Sequence, residues 1–412
     1  MMEPSDFFGY DFVADPYPGY AWLRKNSPVH QIQQPDGLCI WLLTRYEDVR
    51  AALGDPRLSK DPRNAADQLR GARVTGLVTP DGRVVVNNLL NSDAADHRRL
   101  KNVIGKAFQP RTVEFFRPWI QQFTDDLLGD LPGQDAVDLI ARLAQPLPVL
   151  VMCRIMGMAP AEALAVTAWR DDVAYPSYID VLPTAPDAAG EFFAYFVELL
   201  ERKRACLKSG ESKRPEEHGL VDELVAAHHR GTINDDELIG MVTALFIAGT
   251  ESTTNFIGNA VLALLTHDEQ RHFLRHNPEM TAHAVDELIR YDGPAEKATF
   301  RVATEDVCYS GTTIPRGSIV GLVLNSANRD EDVFPAADSL DLSRGSPAHV
   351  GFGHGPHFCL GAPLARLETQ IVFRSVVDRF PDMRLAIPVE QLRWRIFGPH
   401  HGLHALPVVL GA

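Results

Sequence analysis

The chain has 412 residues, 45% of them apolar, enough for a substantial hydrophobic core. A formal net charge of −14 argues against nucleic acid as a partner, because phosphate binding needs a cationic surface. No apolar run reaches the ~18 residues of a membrane-spanning helix, so no membrane association is expected.

Met1 to Gly19 is acidic and aromatic, without an apolar targeting segment. Five scattered cysteines (Cys39, Cys153, Cys206, Cys308, Cys359) include no Cys-x-x-Cys pair. That argues against zinc sites and disulfide frameworks and fits a reducing cytoplasm. No linker, repeat or low-complexity tract divides the chain, so one large domain over 1–412 is expected. The polar stretch from Lys208 to Glu217 reads as a loop between helices.

In chain order, Leu38 to Leu43 reads as a strand and Tyr46 to Arg50 as the start of a helix. Pro80 to Asn91 reads as a loop with a strand-like Val84-Val85-Val86. From Asp96 to about Ala107 the pattern turns helical, with His97 and Lys101 one turn apart, and helices dominate to Arg290. The longest spans about 234–266, with Asn234 and Glu237 placed as a capping pair. Leu245, Phe246, Ile247, Ala248, Phe256, Ile257, Val261, Leu262 and Leu264 leave it little polar face, so it should be buried on most sides. Gly249-Thr250-Glu251-Ser252-Thr253-Thr254 interrupts that apolar pattern with an acid and hydroxyls. Buried polar groups cost stability, and local rules broken inside a core point to a functional site.

Glu287 and Arg290 then lie three apart on one helical face. Strand character returns from Ile319 to Leu324. His228-His229, His272 with His276, and His400-His401 read as exposed residues, without a third ligand at metal-binding spacing. Phe352-Gly353-His354-Gly355-Pro356-His357-Phe358-Cys359-Leu360-Gly361 sets one cysteine in a glycine-rich turn that opens a helix from Ala362 to about Phe380. Unpaired amides at a helix N-terminus favour a thiolate and lower its pKa. Gly353, Gly355 and Gly361 let the backbone bend sharply beside a flat ligand.

This string resembles the haem-binding loop of the cytochrome P450 monooxygenases, and Ala362-Pro363-Leu364-Ala365-Arg366 is similar to the soluble bacterial branch. The resemblance implies a mainly α fold with a small β portion. It makes Cys359 the axial ligand of heme b (iron protoporphyrin IX), within a haem loop at 351–361 that includes Phe352, His357 and Gly361. A thiolate ligand donates electron density to the iron and favours O–O cleavage. His97, Lys101 and Arg301 become propionate contacts, with Lys101 standing where the family usually has arginine. Ala248-Gly249-Thr250-Glu251-Ser252 resembles the family's kinked oxygen-binding segment. Glu251 and Ser252 become the proton-delivery pair, with serine in place of the usual threonine. Thr253 is the alternative hydroxyl, but it points about 100° away on a helix. Glu287 and Arg290 become a structural pair, with Arg344 a candidate to extend it.

The implied substrate pocket consists of Val86, Leu89, Leu90, Leu245, Ala248, Ala295, Ala298, Thr299, Ile396 and Phe397. The implied reaction inserts one atom of O2 into a hydrophobic small molecule, by hydroxylation or epoxidation of a polyketide- or macrolide-like secondary metabolite. Electrons come from NAD(P)H through a ferredoxin reductase and a ferredoxin, docking where Lys101, Lys106, Arg111 and Arg366 form a cationic patch. The competing readings are a peroxide-driven or rearrangement catalyst, a gas-binding or recruitment protein, or a xenobiotic-degrading hydroxylase.

Overall fold

The computed structural model describes residues 9–33, 38–65, 77–78, 84–85, 87–131, 136–159, 162, 186–209, 219–345, 348–395 and 400–411. Val86, Ile396 and Phe397 lie outside these residues. The main helices are α1 (Ala94–Ile104), α2 (Arg117–Gly129), α3 (Pro146–Met156), α4 (Pro186–Ser209), α5 (Leu220–His229), α6 (Asp235–Thr266), α7 (Thr281–Asp292) and α8 (Ala362–Arg379). The strands of the two larger sheets are β1 (Val29–Gln33), β2 (Cys39–Leu43), β3 (Leu58–Ser59), β4 (Val137–Asp138), β5 (Arg301–Ala303), β6 (Ile319–Leu322), β7 (Arg384–Leu385) and β8 (Pro407–Val409).

Helix α6 is the axis of the fold, and its start is written locally. The Asn234 side chain accepts from the Glu237 amide at 2.9 Å, and Glu237 accepts from the Asn234 amide at 3.0 Å. Asp235, Asp236 and Glu237 add negative charge at the positive end of the helix. The helix packs against α3, α4, α5, α7 and α8, and Phe246 meets the rings of Phe196 and Phe192 at 5.5 and 6.2 Å.

Helix α6 runs from Asp235 to Thr266, close to the expected 234–266, and is helical through Gly249. Thr250, Ser252 and Thr254 each donate to the carbonyl four residues earlier, at 2.9, 3.0 and 2.9 Å, which satisfies the hydroxyls without displacing the ladder. Gly249 makes room for a neighbouring helix. A Cβ there would stand 2.5 Å from the Met152 sulfur on α3.

The larger sheet has the order β1-β2-β6-β5-β3, with β2 and β6 parallel and the other pairs antiparallel. A three-stranded sheet follows the order β7-β8-β4. Strand β6 stops at Leu322, two residues before the expected end, because Leu324–Ala327 forms a helical turn. Side-chain bonds anchor that turn, from Asn325 to the Gly293 carbonyl and from Ser326 to the Thr44 carbonyl, both at 2.8 Å.

The segment leading to the cysteine turn hangs on α7. Glu287 and Arg290 are fully buried and joined at 2.7 and 2.8 Å. Arg290 also donates to the carbonyls of Asn328, Ala337 and Ser339, and Arg344 reaches Glu287 at 3.1 Å. A buried pair of this kind is strongly destabilising to break, by about 3–5 kcal/mol. Asn328 then accepts from the Val350 amide at 2.8 Å, which carries the constraint to the start of the turn. Among the described residues, no helix is long and apolar enough to cross a membrane.

Candidate active site

The cysteine turn is built by two left-handed glycines, Gly353 at φ 76° and Gly355 at φ 74°. Gly355 also packs against the end of helix Tyr46–Gly54, where a Cβ would meet the Gly54 Cα at 3.1 Å. Gly361 differs from the sequence expectation. Its φ is −80°, so it makes no left-handed bend, and a Cβ there would lie 3.9 Å from the Cys359 sulfur. The Cys359 amide donates to the Phe352 carbonyl at 2.8 Å, and α8 begins three residues later.

Cys359 is accessible, and the amides of Gly361 and Ala362 donate to its sulfur. Enclosure by the protein nonetheless pushes the thiol pKa up, outweighing those amides and the Arg366 charge. The two amides are the pull expected of the helix terminus, and burial opposes it. A coordinated metal ion would deprotonate the thiol outright. The Arg366 guanidinium lies 4.4 Å over the Phe352 ring and pairs with Asp286 at 2.8 Å. It is thus committed within the fold and is not a free member of the expected surface patch, where Lys106 and Arg111 are exposed.

Beside the turn lies a recess of hydrogen-bond donors. The His97 and His357 rings are 4.1 Å apart, and the Lys101 ammonium reaches the Pro356 carbonyl at 3.3 Å. Arg301 is buried and donates to the carbonyls of Thr299 and Phe300. Lys60, which the sequence reading missed, is 1% exposed and donates to the Thr299 hydroxyl and the Phe300 carbonyl. Burial, then repulsion from His97, Arg301, Lys60 and Lys101, push the His357 pKa down to about 3. Burial lowers Arg301 to about 10, and burial with the Arg301 charge holds Lys60 well below its ordinary range. Asp93 is the carboxylate nearby, already bonded by the Ser59 hydroxyl and the Lys60 amide. Among the described residues, none of Lys60, Lys101 and Arg301 has a carboxylate at ion-pair distance.

The third part is α6. Leu245, Ala248, Gly249 and Ser252 share one face and are incompletely covered, with Ala248 exposed in the middle of the fold. Thr253 lies off this face and is 5% exposed. Glu251 is 3% exposed and bonded to His400 at 2.8 Å. His400 and His401 are therefore not the surface residues the sequence suggested. His401 is 4% exposed, stacks on Trp394 at 4.0 Å and bonds Asp292 at 3.0 Å. The His400 backbone pairs with Ala295, which sets Ala295 beside α6. Leu89 joins α6 through its amide, 3.3 Å from the Met241 sulfur. Leu89, Ala295 and Ala298 are half-buried, while Leu90 and Thr299 are exposed.

A profile of the cytochrome P450 family matches residues 181–383. Over 99% of its length the chain is 39% identical to vitamin D(3) 25-hydroxylase of Pseudonocardia autotrophica, covering 97% of that protein. The chain belongs to the cytochrome P450 family. This P450 is also 37% identical to the cytochrome P450 monooxygenase PikC of Streptomyces venezuelae, over 97% of this chain and 92% of that one. The solved structure of the tirandamycin C-bound P450 monooxygenase TamI superposes with a TM-score of 0.86 at 37% identity, covering 98% and 99% of the two chains. The fold is the P450 fold, mainly α with small sheets, and the protein is a monooxygenase of the haem- and O2-dependent type supplied by redox partners.

The residues of this P450 fit haem. Cys359 offers an accessible sulfur beneath two amides, and the recess gathers donors that repel one another and, among the described residues, have only Asp93 nearby and no carboxylate at ion-pair distance. Two propionates are the anions such a recess suits. Arg301→Ala is expected to release haem several-fold faster than Lys101→Ala, measured as haem transfer to an apoprotein acceptor. A partly exposed charge contact contributes about 0–1 kcal/mol, whereas a buried one carries more. Equal, negligible loss in both variants would remove these two residues from the set.

Proposed function

We propose that this P450 oxygenates a hydrophobic secondary metabolite of the polyketide or macrolide kind, by hydroxylation or epoxidation. The observation that carries the reading is the accessible Cys359 sulfur beside a cluster of donors that, among the described residues, has no carboxylate at ion-pair distance from Lys60, Lys101 or Arg301. Cys359 holds the iron of heme b, framed by Phe352 and Gly361, and Lys60, His97, Lys101, Arg301 and His357 hold the propionates. Haem bound there supplies the redox-active iron that activates O2, and thiolate donation favours O–O cleavage.

The chain's own residues do the rest. Ser252 Oγ leaves the Ala248 carbonyl to hand on a proton, and Glu251 stores that proton. Leu245, Ala248, Leu89, Leu90, Ala295, Ala298 and Thr299 exclude water and orient an apolar substrate, as mostly apolar pockets do. Glu287 and Arg290 act on the fold and take no chemical step. The substrate class draws support from relatives named as a mycinamicin IV hydroxylase/epoxidase and a polyketide biosynthesis P450, 38% and 34% identical to this chain.

Electrons arrive from NAD(P)H through a ferredoxin reductase and a ferredoxin, with Lys106 and Arg111 exposed for docking. The protein works in the cytoplasm as one P450 domain. The test is a screen of macrolides, polyketides and vitamin D3 for a substrate-induced high-spin shift, followed by turnover with a surrogate ferredoxin system. The expected product is heavier by one oxygen atom and depends on NAD(P)H. Product formed with added peroxide but none with NAD(P)H, the ferredoxin system and O2 would overturn the reading.

A further inference from the structure

The segment His400–Gly402 runs along α6 on a stripe of buried polar residues spaced four apart, Glu251, Asn255 and Asn259. His400 meets Glu251 at 2.8 Å, and the Asn259 side chain donates to the His401 carbonyl at 3.0 Å. Between them Gly402 presses on Asn255, where a Cβ would stand 2.1 Å from the amide oxygen. The other side of the segment is fixed as firmly. The His401 amide donates to the Pro294 carbonyl at 2.8 Å, and His400 pairs with Ala295. Successive side chains of an extended chain point to opposite faces, so His401 turns to Asp292 while His400 turns to α6.

Asn255 and Asn259 can only strap the segment in place. Glu251 is titratable and adjoins Ser252, which lies on the open face of the helix. We propose that His400 is a positioning residue for proton delivery, which holds the Glu251 carboxylate and reloads it with a proton. This rests on the monooxygenase reading of the site. The step moves one proton and no electrons. Nδ1–H of the imidazolium passes its proton to Glu251 Oε1, leaving neutral imidazole. Glu251 turns toward Ser252 and gives up the proton there, and Nδ1 is reprotonated by a proton taken up from bulk solvent.

The surroundings suit the task. The His400 side chain keeps 17% of its surface, and among the described residues its Nε2 has no hydrogen-bond partner. Burial pulls its pKa down, but the charge and hydrogen bond of Glu251 more than offset this, so the imidazole holds its proton above its ordinary range. From α6, Glu251 is the charged group that faces it. On the segment packed against His400–Gly402, Asp292 is taken by His401 and Tyr17, and Glu296 by Tyr20 and Lys297. On the segment paired with Gly402, Arg395 donates to the Leu403 carbonyl at 3.1 Å.

The cationic form exists below the raised pKa, so proton supply should fail as pH rises through it. The test compares wild type with His400→Gln, which keeps a donor but cannot titrate. Both are taken as holoenzyme with equal haem occupancy. NAD(P)H-driven oxygen consumption, which requires no known substrate, is followed against pH. Wild type should lose rate on the alkaline side, and the variant should lose that limb with a rate lower by roughly tenfold. That is less than the hundredfold or more of a group touching the reacting atoms. A variant with unchanged rate and unchanged profile would make His400 a strap and overturn the proposal.

The second readout is the imidazole titration itself, by NMR of 13C-histidine-labelled protein in the diamagnetic reduced carbon monoxide form. The signal lost in His400→Gln should titrate above the ordinary histidine value and fall in Glu251→Gln. Titration at the ordinary value in wild type would also overturn it. Failure of the monooxygenase reading looks different: wild type itself consumes no oxygen.

Discussion

Replacing Cys359 by histidine is expected to abolish monooxygenation and the red-shifted Soret band of the reduced carbon monoxide complex, even where haem is retained. The sulfur sits in a turn shaped to present it. Gly353 and Gly355 take left-handed angles closed to most residues, the Cys359 amide is tied to Phe352, and the Gly361 and Ala362 amides point at the sulfur. Those amides are suited to an anionic ligand, and an imidazole brings no negative charge to meet them. Donors outside the turn remain in the variant, so haem can stay while its electronic signature changes. An unchanged spectrum would remove Cys359 as the ligand.

Ser252→Ala should leave NAD(P)H consumption within about twofold of wild type while most electrons appear as hydrogen peroxide. Glu251→Gln should instead slow oxygen consumption roughly a hundredfold, the low end for loss of a general acid. The difference follows from position. Ser252 lies on the incompletely covered face of α6 with Leu245 and Ala248, whereas Glu251 is buried against His400. The serine hydroxyl has only to leave the Ala248 carbonyl, at a net cost of about 1 kcal/mol for one hydrogen bond. Ser252→Thr should be tolerated and improve coupling, because a β-branched side chain restricts the rotamer. Product formed per NAD(P)H consumed is the measurement. Full coupling in Ser252→Ala with uncoupling in Thr253→Ala would move the relay one residue along.

What the sequence made legible was local. The cap at Asn234 and Glu237, the pairing of Glu287 with Arg290, and the turn opening α8 each depend on residues within about ten positions. Lys60 and His400 were not legible, because each takes its meaning from a partner far away in sequence: Arg301 and Thr299 for the first, Glu251 for the second. A signal for the second did exist in the spacing of Glu251, Asn255 and Asn259, which no apolar count detects. The polar stretch Gly249–Thr254 stays inside the expected helix because hydroxyls that bond back to their own helix need not open it.

The donor recess makes haem supply a stability variable. Lys60, Arg301 and His357 are crowded, Asp93 offsets this only in part, and the propionates of the cofactor would relieve them further. The native fold should therefore bind haem far better than the unfolded chain does. By mass action, such a ligand at a hundred times its dissociation constant adds about 2.7 kcal/mol to folding. In a cell short of iron the protein would then be lost by unfolding and degradation, so that its abundance tracks the porphyrin pool.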